Sequence, residues 1–202
     1  MEYWHDLITE KSWKILHEIK GKFNFILIGG WANYLWTKKF KSKDIDIIIN
    51  FNTLSKLKQQ YQLRKNDALK KYEIKIEEVD IDIYVPFYSQ LALPLEEIKT
   101  TKIQNFILPK PEYLLILKQG GFSNRKHSEK GEKDRLDILS LLFLTDIDFK
   151  DYFKILKEHK KEDFLFQLIK IVKEFKEIKY FDFTPHKLKL KKQEILERLK
   201  KI

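Results

Sequence analysis

Cysteine is absent from the chain. That excludes disulfides, thiol nucleophiles, thiolate zinc sites and iron–sulfur clusters in one step. Glycine occurs six times, proline five times and methionine once in 202 residues, which is too little glycine and proline for a low-complexity chain. No apolar run approaches the roughly 18 residues of a membrane span. Phe25-Ile26-Leu27-Ile28 and Leu141-Leu142-Phe143-Leu144 have the length of core segments. The first residues, Met1-Glu2-Tyr3-Trp4-His5-Asp6, lack a basic stretch leading into an apolar one, so no secretory leader is expected. His5, His17, His127, His159 and His186 show no metal-ligand spacing, and there is no G-x-S-x-G. A soluble, cytoplasmic protein with no membrane partner is the expectation.

What is present points elsewhere. Apolar residues make up 43% and aromatic ones 14%, enough for a packed core. Forty basic residues against 30 acidic ones give a net charge of +10, which suits an anionic partner such as a nucleotide or RNA. A charged fraction of 35% with almost no methionine is also a composition suited to a thermophile.

Periodicity divides the chain near Pro109–Pro111. Before it, a helix is expected over residues 7–20, stopped by Gly21. A strand follows over 23–28, then Gly29-Gly30, a short helix over 31–36, and a strand over 44–49. Thr53 is the expected N-cap of a helix reaching Asn66. Strands over 72–77, 79–85 and 103–108 complete this half. After Pro111 the pattern is helical, over 112–119, 130–144, 149–158, 163–178 and beyond Pro185. The domains expected are an α+β core over residues 1–110 and a helical segment over 111–202 that packs on it and walls its cleft.

Three features carry chemistry. Gly29-Gly30 closes a strand and opens a helix, so the backbone turns tightly and a phosphate can approach unpaired N–H groups. Lys43-Asp44-Ile45-Asp46-Ile47-Ile48 places two carboxylates on one face of a strand and isoleucines on the other. Adjacent like charges are costly unless a cation lies between them, and an oxygen-only ligand set favours Mg²⁺ or Mn²⁺. Val79-Asp80-Ile81-Asp82-Ile83 repeats the pattern. If the two strands pair, one of its acids completes a three-carboxylate cluster able to hold two metal ions. Asp82 is preferred because Ile83-Tyr84-Val85 continues a clean strand beyond it, with Asp80 the alternative. A third Asp-Ile-Asp, Asp146-Ile147-Asp148, lies between helices and reads as a turn with an N-cap.

Taken in order, Phe25-Ile26-Leu27-Ile28-Gly29-Gly30, the spacer Trp31 to Lys43, Asp44-Ile45-Asp46 and a later strand acid resemble the signature of the Pol β-type nucleotidyltransferase superfamily. The minimal and AbiEii-toxin-like branches are the most similar, through Leu115-Ile116-Leu117-Lys118 and Lys133-Asp134-Arg135-Leu136-Asp137. The resemblance covers about residues 23–144. It implies a small mixed sheet flanked by helices, and metal-dependent transfer of a nucleoside monophosphate from an NTP to a hydroxyl of RNA, such as tRNA, or of protein. A toxin or defence role with an antitoxin partner is implied in the same way. Asp44, Asp46 and Asp82 would be catalytic and would hold the metal. Gly29, Gly30, Ser42, Lys118 and Lys133 would contact the nucleotide. The alternative is a binding module or regulatory subunit without chemistry.

Overall fold

The computed structural model describes residues 2–201, with side chains from residue 6 to 201; Met1 and Ile202 lie outside the described residues. The chain divides into two units, Met1–Lys110 and Pro111–Ile202, each with its own core.

In the first unit, helix α1 (Glu2–Lys22) is followed by β1 (Ile26–Ile28), α2 (Gly29–Thr37), β2 (Ile45–Ile48) and α3 (Phe51–Gln60). Then come β3 (Arg64–Asn66), β4 (Lys71–Ile76), β5 (Val79–Tyr84), β6 (Thr100–Ile103) and β7 (Phe106–Pro109). The seven strands form one mixed sheet in the order β3-β4-β5-β2-β1-β7-β6. β2 runs parallel to β5 and β1 parallel to β7, while the other four pairings are antiparallel. Helix α2 packs on β1 and β2, and α1 on β5. Alternation explains the sheet: Ile45, Ile47, Ile81 and Ile83 are all buried, and the acids between them share the other face.

The expected α+β architecture is therefore observed, with local corrections. Helix α1 runs through Gly21 to Lys22, because Gly21 faces open space and Phe23 N–H still bonds to the Ile19 carbonyl. Asn50, not Thr53, caps α3, its side chain accepting from the Thr53 N–H at 2.8 Å. That helix stops at Gln60, not near Asn66, because residues 64–66 are recruited into the antiparallel β3–β4 pair. The single strand expected over 103–108 is a hairpin turning at Gln104-Asn105, both with positive φ.

The second unit consists of α4 (Pro111–Arg125), α5 (Glu129–Leu144), α6 (Phe149–Glu158), α7 (Asp163–Glu174) and α8 (Pro185–Lys200). Asp148 caps α6 by accepting from Lys150 and Asp151 N–H groups, so the third Asp-Ile-Asp is a capped turn. Helix α7 ends at Glu174, short of the expected 178, where Phe175 leaves the helix for an extended conformation. Its ring is fully buried, 5.5 Å from Phe181 and 6.0 Å from Phe143, in a cluster completed by Phe183. Burying that ring outweighs one more helical turn.

Phe175→Ala should cost about 3–5 kcal/mol in urea unfolding, the usual loss for a fully buried phenyl ring.

Candidate functional site

The register of the sheet assembles the site. Ile28, Asp46, Asp82, Glu73 and Arg64 are successive Cα partners across β1, β2, β5, β4 and β3. Residues level with one another on neighbouring strands project to the same face with Cβ atoms roughly 4.5–5.5 Å apart. Three carboxylates, those of Asp46, Asp82 and Glu73, thus stand in one row. Asp44 lies just before β2 and is close enough for its charge to act on Asp82.

Such a row repels itself, and Lys71 answers the repulsion. Its ammonium donates to Asp82 Oδ2 at 2.6 Å and lies 3.2 Å from Glu73 Oε1. Asn66 adds a 2.8 Å bond to Glu73, and Arg64 stands 3.9 Å from the same carboxylate. Burial pushes the Asp82 carboxyl above its ordinary pKa; Lys71 opposes this, while Glu73 and Asp44 add to the rise. Burial also depresses the Lys71 ammonium, but Asp82 and Glu73 together outweigh it and hold its pKa above the usual value. The hydrogen bond from Asn66, helped by Lys71, holds Glu73 below the ordinary carboxylate range.

The register also separates the two acids of β5. Asp82 stands beside Asp46, whereas Asp80 pairs with Lys75 on β4 and its side chain is 62% exposed. Glu73 and Lys71 are neighbours of the acid row that the sequence motifs miss. Their signal lies in the two-residue turn Glu77-Glu78: counting outward from the Ile76–Val79 pair brings Glu73 opposite Asp82.

Gly29 is the other half of the site. Its φ is +68°, and a Cβ there would lie 2.0 Å from Asp46 Oδ2 and 2.6 Å from Asp46 Cγ. The Asp46 carboxylate therefore rests in a cradle that only glycine leaves open, against the first residue of α2. The N-terminus of a helix favours negative charge. Gly30 occupies the first turn of α2 and Ser42 is buried ahead of β2.

The donors present are oxygen-only and outnumber the ammonium beside them, which fits a hard divalent cation in kind. Among the described residues no three His, Cys, Asp or Glu side chains are gathered to hold a metal ion. Asp82 is instead held by Lys71, whose ammonium is 2.6 Å from its Oδ2.

Lys118 and Lys133 belong to the second unit. Lys118 sits in the middle of α4, not at a helix end, and is buried; it donates to Asp137 Oδ2 at 2.6 Å and lies 3.7 Å from Asp134 Oδ1. Arg125 completes the group with bonds of 2.7 and 3.2 Å to Asp134. Burial raises the Asp137 pKa despite Lys118. Two cations thus match two acids between α4 and α5. Lys133 is on α5, half-buried, and its charge is felt by Asp137.

No family model matches the chain, and no curated protein matches it. Among solved structures, JHP933 from Helicobacter pylori is similar in fold, with a TM-score of 0.50 at 18% identity over 96% of this chain and 93% of that one. A candidate nucleotidyltransferase from H. pylori has a TM-score of 0.45 at 17% identity, covering 96% of each chain. An antigenic nucleotidyltransferase-like protein from Paracoccidioides brasiliensis has a TM-score of 0.40 at 15% identity, over 88% of this chain and 96% of that one. At 18% identity the likeness to JHP933 is one of fold alone. Among the described residues no helix is long and apolar enough to cross a membrane.

Gly29→Ala should destabilise the protein, whereas Gly21→Ala, helical and facing open space, should stabilise it by about 0.5–1 kcal/mol. Paired thermal melts compare the two. Lys71→Met should raise the Asp82 pKa further, as read by carboxyl ¹³C NMR. A carboxyl with a raised folded-state pKa favours folding most at acid pH and loses that contribution as pH climbs through the folded value. The variant should therefore be weakest at neutral pH and recover relative to wild type on acidification.

Proposed function

We propose that the protein is a metal-dependent nucleotidyltransferase that moves a nucleoside monophosphate from an NTP to a hydroxyl acceptor. The observation supporting this reading is the placement of Asp46: level with Asp82 on a parallel strand, and seated on Gly29 at the start of α2. In the proposed reaction the acceptor oxygen bonds to the α-phosphorus, the bond to the bridging oxygen breaks, and pyrophosphate leaves. Bound Mg²⁺ or Mn²⁺ would neutralise the triphosphate charge, with Asp44, Asp46 and Asp82 as its holders. The N–H groups of Gly29 and Gly30 are suited to receive phosphate oxygens at the helix start. Asp82, whose carboxyl is held above the usual range, is suited to take the acceptor's proton as the new bond forms. Lys71 keeps Asp82 oriented until then. The net charge of +10 favours RNA as the acceptor over protein.

One observation favours a second reading. The engagement of Asp82 by Lys71, with no closed cluster of metal-holding side chains among the described residues, suits a module that binds nucleotide without chemistry.

One assay decides between the two. The protein is incubated with Mg²⁺, each α-labelled NTP in turn and total RNA, beside Asp44→Asn/Asp46→Asn. Transfer of label to RNA or protein by wild type, falling at least 100-fold in the variant, is the expected outcome. NTP binding without transfer under any of these conditions would establish the binding module instead.

A further inference from the structure

A cavity of about 360 Å³ opens between α1 and α2, away from the acid row in composition and in charge. Its volume is in the range of ligand sites, roughly 300–1,000 Å³. Three aromatic rings line it. Trp31 forms the fixed wall: it is 1% exposed, and its indole N–H donates to Ser12 Oγ at 2.8 Å. Trp13, half-buried, lies 4.7 Å from Trp31 between ring centroids, and Tyr34 lies 5.5 Å from Trp31 and nearly perpendicular to it. The rings come together because positions 31 and 34 of α2 share a helix face, which meets the α1 face carrying position 13.

The rim is cationic. Lys14, Lys38 and Lys41 line the cavity and are exposed, against the single carboxylate of Glu10. Lys38 Nζ stands 5.7 Å from the Tyr34 ring centroid. Gln104, at the tip of the β6–β7 hairpin, adds an amide able to donate and accept at a base edge. A core pocket would not carry three ammonium groups at its mouth. Aromatic faces inside and a lysine rim outside are complementary to a flat heterocycle joined to phosphate. Lys39 and Lys43 lie in the same connection to β2, so four of the six residues from 38 to 43 are lysine. That spacing suits a run of phosphates more than the single cluster of a free nucleotide.

We propose that this cavity binds single-stranded nucleic acid, one base stacking on Tyr34 and meeting Trp13, whose ring is tilted 74° to that of Tyr34, edge-on, while the strand's phosphates lie along Lys14, Lys38 and Lys41. None of these residues belongs to the acid row, so the inference stands apart from the transfer chemistry proposed above.

The test uses the full chain and a fluorescein-labelled ten-nucleotide RNA of mixed sequence, followed by anisotropy between 50 and 200 mM salt. Tyr34→Ala should weaken binding by about 5- to 150-fold, the range set by losing one base–aromatic stack. Lys38→Gln/Lys41→Gln should weaken it as well and flatten the salt dependence, by about 0.7 in log–log slope for each phosphate left without its ammonium. Trp13→Phe, which keeps a ring against Trp31, should weaken binding less than Tyr34→Ala. Asp44→Asn/Asp46→Asn should bind as tightly as wild type or more tightly. Lys187→Gln/Lys189→Gln on α8 should have little effect. Absence of binding, or binding that Tyr34→Ala and the double lysine variant leave unchanged, overturns the proposal. So does a loss confined to the α8 or Asp44/Asp46 variants. AMP or UMP binding as tightly as the ten-mer overturns the assignment to a strand.

Discussion

Repulsion within one row of carboxylates is the constraint around which the first unit is organised. The parallel pairing of β2 with β5 sets Asp46 and Asp82 level, and the β4–β5 hairpin adds Glu73 to the same line. Left alone, three like charges on adjacent strands would oppose the pairing that creates them. Lys71 offsets part of the repulsion at one end, and the start of α2 offers a favourable field at the other. Between these two devices the negative charge is still in excess. A site of this kind is costly to stability, and the buried isoleucines on the reverse face are what hold it together.

Much of this arrangement is legible in the residues themselves: the period-two acids flanked by isoleucine, the glycine pair and the change of texture after Pro109. The preference for Asp82 rests on the clean strand beyond it, but its position beside Asp46 is a matter of parallel register, which no local pattern encodes. Lys71 and Glu73 are reached only by counting from Glu77-Glu78. That turn lacks the glycine or asparagine that usually marks a tight hairpin: Glu77 itself adopts a φ of 53°. Gln104-Asn105 hides the β6–β7 hairpin because its strands are short and the residues around it read as one continuous run. Errors at helix ends have another origin. Phe175 is a fair helix former by propensity, and only the aromatic cluster it joins explains why the helix stops before it.

The second unit resolves its charges differently. Lys118, Asp137, Asp134 and Arg125 pair two positive with two negative groups between α4 and α5. Removing one member of such a buried set leaves an uncompensated charge, which is far more costly than the intact pair is stabilising. The lysine expected to meet a nucleotide thus has a structural duty within its own unit. The acid row of the first unit keeps its carboxylates in excess and the α4–α5 cluster of the second balances them, a contrast that follows from register in one and helix spacing in the other.

The two-residue turn between β4 and β5 makes chain length itself a determinant of the site. Because strand side chains alternate faces, one inserted or deleted residue between Ile76 and Val79 would carry Lys71 and Glu73 to the opposite side of the sheet. Asp82 would then face Asp46 with no ammonium between itself and the strand edge, while Tyr72 and Ile74 would lose their place over the isoleucine layer. The number of turn residues is thus fixed by the site, while their identity is limited only by the left-handed backbone at Glu77. The turn's length, a property no single side chain displays, is what couples the counter-ion to the acid it serves.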